Sequence, residues 1–239
     1  MRVNWNYIKS IVLVSIIVFL YSFASVKNDR RNISGIDVNF TGNNNLFITE
    51  EAVNKLLIQN EDSITTMAKE TLDLNGLETA LKSNPMIKTA EVYLTVNGEV
   101  TADVEQRTPI ARVNTNAAYY IDEDGAYMPL SENRSARVPL VTGQVFKNDL
   151  KNIYTIAKKI QSDEFLKTHV VEIIQHDDQA ITLLTRKLDL SVYLGQLNRL
   201  DAKVKNFKAF YQKARKDEVL QDYKTVNLQF ENQVVCTKH

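Results

Sequence analysis

The sequence predicts an α+β protein with an N-terminal transmembrane helix, a first domain of order β-α-α-β-β, and a mixed, largely antiparallel β domain with interspersed helices. Three observations predict this class. An uncharged apolar run occupies residues 11–24, two amphipathic helical stretches precede a β-hairpin at 85–112, and strand-like and helical runs alternate after it. We place the boundaries at 1–7 (a short cytoplasmic tail), 8–25 (the transmembrane helix), 33–108 (the first domain) and 109–239 (the β domain).

Composition places the chain among folded globular proteins. Hydrophobic residues make up 44% and charged residues 24% of the 239 residues. Lys and Arg equal Asp and Glu at 29 each, which argues against a nucleic-acid-binding protein, because such proteins usually carry a basic excess. The single cysteine, Cys236, excludes an internal disulfide.

The N-terminal apolar run and its flanks are long enough to cross a bilayer. Ile11–Ala24 contains no charge, and adding Trp5, Tyr7 and Ile8 gives about twenty residues. Aromatic residues near both ends suit the two membrane interfaces. A cleaved signal peptide is the alternative, because Ser22-Phe23-Ala24 offers small residues around a cleavage position. We favour the uncleaved anchor, and under both interpretations the bulk of the chain lies outside the cytoplasm.

The first domain starts with a strand and two helices. Alternation and helical spacing predict a strand at 36–40 and helices at about 49–60 and 73–84. Thr49 is a favourable N-cap for the first helix, because its side-chain oxygen can accept a free backbone N–H. Asp73 or Asn75 caps the second helix, and Asn84-Pro85 ends it. The polar stretch 61–72 between the helices predicts a loop with a helical turn.

Residues 85–112 predict two strands joined by a tight turn. Asn97-Gly98 between β-rich runs predicts a type I′ turn, which needs φ > 0 at both central positions. Period-two alternation gives one apolar face and one opposite face, namely Lys88, Ala90, Val92, Leu94 and Val96 against Ile87, Thr89, Glu91, Tyr93 and Thr95. The second strand places Val100, Ala102 and Val104 on one face, and Pro109 ends the pairing.

The β domain alternates strands and helices. The predicted strands are 110–113, 118–121, 170–174, 180–185, 188–194, 225–230 and 233–237, and the helices are 150–160 and 197–213. Asn148 or Asp149 starts the first of these helices, and residues 134–143 form a loop. Asp122-Glu123-Asp124-Gly125 invites comparison with a calcium loop. Its glycine stands fourth instead of sixth and no Glu occupies position twelve, so we predict a β-turn.

The titratable residues show no catalytic or metal-binding pattern. His169 and His176 are seven residues apart, which would place them on opposite faces of a strand. Cys236 has His239 as its one neighbouring histidine, and the chain lacks a Gly-rich phosphate loop. We therefore expect no catalytic, cofactor-binding or metal site, and we disfavour an extracytoplasmic enzyme such as a cell-wall hydrolase.

The order β-α-α-β-β resembles a POTRA domain, and several runs resemble the FtsQ/DivIB family of bacterial cell-division proteins. These runs are residues 48–53 (ITEEAV), 81–92 (LKSNPMIKTAEV), 104–111 (VEQRTPIA), 120–127, 138–143 and 223–230. Three positions depart from the family pattern. Met86 replaces a Trp, Val96-Asn97-Gly98 replaces a Trp-Pro, and residues 227–230 read Asn-Leu-Gln-Phe where the family has Asp-Leu-Arg-Tyr.

The resemblance implies a non-catalytic scaffold that links early and late division proteins at the septum. It implies an inner (cytoplasmic) membrane protein, anchored through residues 8–25, with its N-terminus in the cytoplasm and its bulk in the periplasm. Its implied partners are division proteins of the FtsB/DivIC and FtsL type and other septal proteins, with no nucleic acid, cofactor or small-molecule substrate. Another POTRA-containing envelope protein, acting in transport or assembly, is the alternative.

An open sheet edge can bind a partner by accepting a strand from it. The C-terminal strand is where we expect this contact, and the resemblance supports that placement. The expected contact residues are Thr225, Val226, Asn227, Leu228, Gln229 and Phe230.

Overall fold

The computed structural model describes residues 5–29, 33–42, 47–59, 72–115, 117–146, 149–188, 190–231 and 233–239. The chain divides into two compact units, Met1–Gln106 and Arg107–His239. The loop predicted at 61–72 lies outside the described residues except for its last position.

The first unit starts with a long apolar helix, α1 (Trp5–Asp29). Within it, Tyr7–Ser25 is the one stretch among the described residues that is long and apolar enough to cross a membrane. Its side chains are exposed all around the helix, with none buried against the protein. A helix that is apolar on every side and meets no protein core suits a lipid environment.

The rest of the first unit is a three-stranded sheet with two helices. Its elements are β1 (Gly35–Thr41), α2 (Glu50–Gln59), α3 (Leu74–Lys82), β2 (Ile87–Leu94) and β3 (Glu99–Gln106). The central strand β3 pairs with β1 in parallel and with β2 antiparallel. The predicted β-α-α-β-β order is therefore confirmed.

Local signals start both helices of this unit as predicted. Thr49 Oγ1 accepts the backbone N–H of Ala52 at 3.2 Å, and Asp73 Oδ1 accepts that of Gly76 at 3.0 Å. Each side chain satisfies one of the N–H groups that a helix start leaves without an intrahelical acceptor. The two helices and the sheet enclose one core, which includes Val53, Leu57, Leu77, Leu81, Val100, Ala102 and Val104.

The hairpin differs from the prediction at its turn. Gly98 has a φ of +89°, but Asn97 has no positive φ. Thr95 N donates to Glu99 O at 2.8 Å and Gly98 N donates to Thr95 O at 3.0 Å. The loop therefore contains three residues and ends on a left-handed glycine, and the predicted type I′ turn is wrong. Val96, predicted on the apolar face, lies exposed in this loop.

A bulge at the start of β2 explains a second difference. Ile87 pairs with Gln106 and Thr89 pairs with Glu105, so two steps along β2 match one step along β3. The bulge turns Ile87 to the buried side of the sheet, together with Ala90. The predicted outward orientation of Ile87 is wrong because strict alternation holds only for a strand without a bulge.

The second unit contains nine strands and three α-helices among its described residues. The strands are β4 (Pro109–Asn114), β5 (Ala118–Asp122), β6 (Tyr127–Met128), β7 (Leu140–Gly143), β8 (Val170–Gln175), β9 (Ile181–Thr185), β10 (Ser191–Gly195), β11 (Tyr223–Asn227) and β12 (Val235–Lys238). The helices are α4 (Lys151–Ser162), α5 (Glu164–His169) and α6 (Leu200–Lys216), and a 3-10 turn covers Leu220–Asp222.

These strands form one mixed sheet in the order β12-β11-β10-β9-β8-β7-β4-β5-β6. Five neighbouring pairs are antiparallel, while β4–β7, β7–β8 and β10–β11 are parallel. The predicted mixed, largely antiparallel class is confirmed. Pro109 ends no strand but opens β4, because β3 has already stopped at Gln106.

One row of apolar residues crosses the sheet in register and forms its core. The row runs Val113, Val141, Ile173, Leu183, Val192 and Val226, all buried, and continues to the half-buried Cys236 on β12. The apolar stripes of α4 and α6 belong to the same core. Side chains on the two sides of a strand alternate, so the neighbouring residues of each strand point to the other face.

Several predicted bounds in the second unit need correction. Residues 140–143 are not loop: β7 lies between two parallel strands, and its four residues are too few to show an alternating pattern. The strand predicted from residue 188 starts at Ser191, because Leu188 has a φ of +80°. The helix predicted from residue 197 starts at Leu200, after Arg199 in the left-handed region (φ 52°).

Two further helical features were not predicted correctly. Leu150 occupies the N-cap position of α4 without a side-chain hydrogen bond, and Asp149 pairs instead with Phe146. Asn148, the other proposed cap, lies outside the described residues. The short helix α5 had no sequence signal beyond its cap, Asp163, whose Oδ1 accepts the N–H groups of two following residues.

Candidate interaction edge

The stretch predicted to bind a partner does not form the outer strand of the sheet. Thr225, Val226 and Asn227 lie in β11, which pairs with β10 on one side and with β12 on the other. Leu228–Phe230 leaves the strand and leads toward β12. The strand predicted at 225–230 therefore shifts to Tyr223–Asn227, and both of its edges are occupied.

Burial divides the predicted contact residues into two groups. The side chains of Val226 and Leu228 are buried in the core, so they offer no surface to a partner. Gln229 and Phe230 are exposed, Phe230 at 47%. Thr225 and Asn227 are half-buried. The binding role of the exposed and half-buried positions stays a prediction.

The outer strand at this end of the sheet is β12, and the described part of the chain places no further strand beside it. Leu228 N donates to Tyr193 O at 2.9 Å. Because backbone groups alternate sides along a strand, the N–H and C=O groups of even-numbered residues in this stretch point toward β10, and those of odd-numbered residues point toward β12. In the antiparallel register Val226 faces Cys236. The N–H and C=O of Cys236 therefore point away from β11, toward the open side.

The side chains of β12 present a mixed surface. Val235 is 41% exposed, and the half-buried Cys236 packs against the end of the apolar row. Burial raises the pKa of the Cys236 thiol, which keeps it neutral at pH 7. Lys238 contacts Asp222, with 3.6 Å between Nζ and Oδ2, and lies over the ring of Tyr223.

An open groove of about 600 Å³ lies on the helical side of β11, between α6 and the connection to β12. Its lining is mainly apolar and includes Phe210, Ala214, Val219, Tyr223 and Val234. Lys213, Asp217 and Glu231 stand among its lining residues. The groove thus reaches Val234, the residue that directly precedes β12.

An outer strand of the first unit is closed by a side chain. Thr95 N bonds toward β3, so the even-numbered N–H groups of β2 point outward. Val92 N donates to Glu78 Oε1 at 3.1 Å, and Lys82 Nζ donates to Glu78 Oε2 at 3.0 Å. These contacts, the backbone one first, hold the pKa of Glu78 below its ordinary value of 4.5.

The two internal histidines singled out in the sequence serve local structure. His169 ends α5 instead of lying in a strand, and its Nδ1 lies 2.8 Å from Phe165 O. His176 Nε2 lies 2.7 Å from Thr182 Oγ1. Across the residues that the structure describes, no group of three His, Cys, Asp or Glu side chains has the arrangement to hold a metal ion.

The Asp122–Gly125 stretch forms the predicted turn. Asp122 is 1% exposed, and its Oδ1 accepts the N–H groups of Asp124 at 3.0 Å and Ala126 at 2.7 Å. Its Oδ2 accepts a bond from Arg107 Nη1 at 2.6 Å. Gly125 has a φ of +81°, which suits glycine. The carboxylate is thus occupied by protein donors that hold the turn.

Sequence reasoning missed the residues that decide which edges are open. The outward backbone groups of Cys236 depend on the register between β11 and β12, which no local pattern reveals. The spacing of Glu78 and Lys82, four residues apart on a helix, is a signal from which their ion pair could have been predicted. The bond from Glu78 to Val92 joins residues 14 positions apart and had no such signal.

Comparison with known proteins gives a consistent family assignment. The family model described as FtsQ/DivIB, C-terminal related, matches residues 108–237, over half of the chain, and a POTRA-like domain model matches 34–105. Cell division protein FtsQ of Myxococcus fulvus is 32% identical over 74 residues, which are 30% of this chain and 26% of that protein.

A second relative covers more of the chain. Cell division protein FtsQ of Geotalea daltonii is 25% identical over 136 residues, which are 52% of this chain and 50% of that protein. The chain thus spans between a quarter and a half of the length of these two curated relatives.

Proposed function

Since the chain belongs to the FtsQ/DivIB family, we propose that it is a non-catalytic scaffold of the bacterial division machinery that links early and late division proteins at the septum. In this proposal α1 anchors the chain in the cytoplasmic membrane, with its N-terminus in the cytoplasm and both folded units in the periplasm. The observation that carries the proposal is the open side of β12, where the backbone groups of Cys236 can accept a partner strand.

Binding proceeds by addition of a tenth strand to the nine-stranded sheet. Main-chain hydrogen bonds to Cys236 supply affinity, and side chains that alternate along the added strand supply selectivity. The exposed Val235 and Phe230 and the neighbouring apolar groove offer surface for these side chains. The proposed partners are membrane-bound division proteins of the FtsB/DivIC and FtsL type.

A different POTRA-containing envelope protein, acting in transport or assembly, is less well supported. The POTRA-like match alone, at residues 34–105, would suit both proposals. The FtsQ/DivIB match covers the nine-stranded unit, which carries the open edge. The division scaffold is therefore the function that accounts for both parts of the chain.

The proposal is tested by removing one outward backbone donor. Cys236→Pro abolishes the N–H that points to the open side, and proline is tolerated at edge positions whose N–H is outside the ladder. Cys236→Ala removes the same thiol but keeps the N–H. Each full-length variant is isolated from cells, and co-purified proteins are identified by mass spectrometry.

We expect Cys236→Ala to recover FtsB/DivIC-type proteins as the wild type does, and Cys236→Pro to recover roughly tenfold less, because at least one strand-to-strand bond is lost. Thermal unfolding of both variants must first show that they remain folded. Equal recovery by both would reject the β12 edge as the contact. Recovery of no division protein by the wild type would reject the scaffold itself.

A further inference from the structure

Near the start of α6 lies a buried lysine for which the proposed scaffold function gives no role so far. Lys203 is 8% exposed, and its ammonium donates three hydrogen bonds, to Leu194 O at 2.9 Å, Gln196 O at 2.6 Å and Asn198 Oδ1 at 3.0 Å. An ammonium has three N–H donors, so all of them are used. The acceptors belong to the end of β10 and the turn that follows it.

This turn lies directly against residues 228–231, the first part of the connection from β11 to β12. A Cβ placed on Gly195 would be 2.8 Å from the side chain of Gln229, so the two segments are in close contact. Tyr193 O accepts the N–H of Leu228, and Arg199 forms an ion pair with Glu231. Three successive points of the turn and its flanks thus hold the connection.

The position of Lys203 is unfavourable for the helix that contains it. A cation in the first turn of a helix opposes the positive end of the helix dipole. Burial, and then the adjacent Arg199 guanidinium, lower the pKa of the Lys203 ammonium, which shows that its surroundings disfavour the charge. The three hydrogen bonds to the turn stabilise the ammonium in this position.

We propose that Lys203 is a positioning residue that fixes the turn after β10 and, through it, the connection that presents β12 to a partner strand. The inference rests on the proposed function of the β12 edge. Without the ammonium, Leu194 O, Gln196 O and Asn198 Oδ1 lose their donor. Leu194 is buried at the end of β10, and a buried acceptor without a donor favours rearrangement. The turn then no longer holds Gln229 and Glu231 in place.

The test compares Lys203→Met with Lys205→Met in the full-length chain in detergent micelles. Methionine has similar length but no donors, and Lys205 is an exposed residue of the same helix. Amide hydrogen exchange is followed by mass spectrometry in residues 228–238 and in β4 and β5. Recovery of FtsB/DivIC-type proteins from cells is measured alongside.

We expect Lys203→Met to speed exchange in residues 228–238 roughly tenfold, to leave β4 and β5 unchanged, and to lower partner recovery by a similar factor. Lys205→Met should change neither quantity. Faster exchange throughout the unit would mean that Lys203 serves only general stability, and unchanged exchange in residues 228–238 would equally overturn the proposal.

A milder variant keeps the test valid if Lys203→Met does not fold. Asn198→Ala removes one acceptor from an exposed residue and leaves the lysine in place. It should speed exchange in the same residues by a smaller factor, and no change there would overturn the proposal. A third outcome separates the two proposals. If exchange in residues 228–238 is faster in the Lys203 or Asn198 variant, but Cys236→Pro still recovers the partner fully, then the β12 edge is rejected as the contact and the positioning role of Lys203 stands.

Discussion

The outer strands β2 and β12 show two ways in which a sheet edge can meet its surroundings. In the three-stranded sheet, Glu78 reaches from α3 and accepts the outward N–H of Val92. In the nine-stranded sheet, no side chain among the described residues occupies the outward N–H of Cys236. The longer strand, β2, is therefore partly closed, and the shorter strand, β12, is open.

The difference shows that a strand's own sequence does not decide whether its edge is available. Polar and apolar residues alternate along most of β2, yet a carboxylate on a neighbouring helix changes what this strand can bind. Natural proteins protect long exposed edges because these recruit other strands without selectivity. An unprotected short edge limits how much partner strand can pair, which favours selection through side chains.

The largest expected effect is on the core that supports β12. Val226→Asp should lower the free energy of unfolding of the second unit by about 3–5 kcal/mol, because it places a carboxylate without a partner in the apolar row. Thr225→Asp alters the opposite, half-buried face beside Ser191 and Thr237 and should cost less than about 1 kcal/mol. Urea unfolding measures both. A similar loss for the two variants would contradict this assignment of faces.

A smaller effect is expected at the hairpin that joins β2 to β3. Gly98→Val should destabilise the first unit by about 1–3 kcal/mol, because valine resists the positive φ found there. Asn97→Val should change stability by less than about 0.5 kcal/mol, since Asn97 is exposed and has no positive φ. Thermal melting distinguishes the two variants. An equal loss of stability in both would support the type I′ turn over the three-residue loop.

The smallest effect concerns the closed edge itself. Glu78→Ala frees the outward N–H of Val92 and should produce weak, concentration-dependent self-association of the full-length chain in detergent, measured by sedimentation velocity at pH 7. Glu50→Ala, on the exposed start of α2, is the matched control. A Glu78→Ala variant that sediments like the control at all concentrations would show that the carboxylate does not protect the edge.

Lowering the pH should weaken the same Glu78 contact in the wild type, because it protonates the carboxylate. The folded-state pKa of Glu78 is lowered, so its contribution to stability is complete above 4.5 and is lost as the pH falls through the lowered value. Glu78→Gln removes that dependence. The melting temperature should therefore fall more steeply below pH 4.5 in the wild type than in Glu78→Gln, and parallel curves would rule out the contribution.

Sequence reasoning succeeded where a few neighbouring residues determine the structure. Thr49 and Asp73 cap helices through atoms three residues away, and the apolar stripe of α4 repeats at helical spacing. The β-α-α-β-β order followed from such local signals. The family resemblance, carried by runs spread along the chain, agreed with the later comparisons.

The features that sequence reasoning missed depend on contacts between distant segments of the chain. The central strand β7 has four residues and becomes recognisable only between β4 and β8. The bulge that buries Ile87 depends on the register with β3. The open edge moved from residues 225–230 to β12 because pairing on both sides of β11 is a tertiary property. Local periodicity contains no information on any of these three.

The parallel pairing of β10 with β11 has a consequence for biosynthesis. The chain must pass over the sheet through α6 before β11 can align, and β12 pairs with β11 in turn. Contacts between distant segments form late, and domains fold from the N-terminus as the ribosome delivers them. The edge of β12 can therefore form only after β10, α6 and β11 have been synthesised, later than the interior strands β8 and β9.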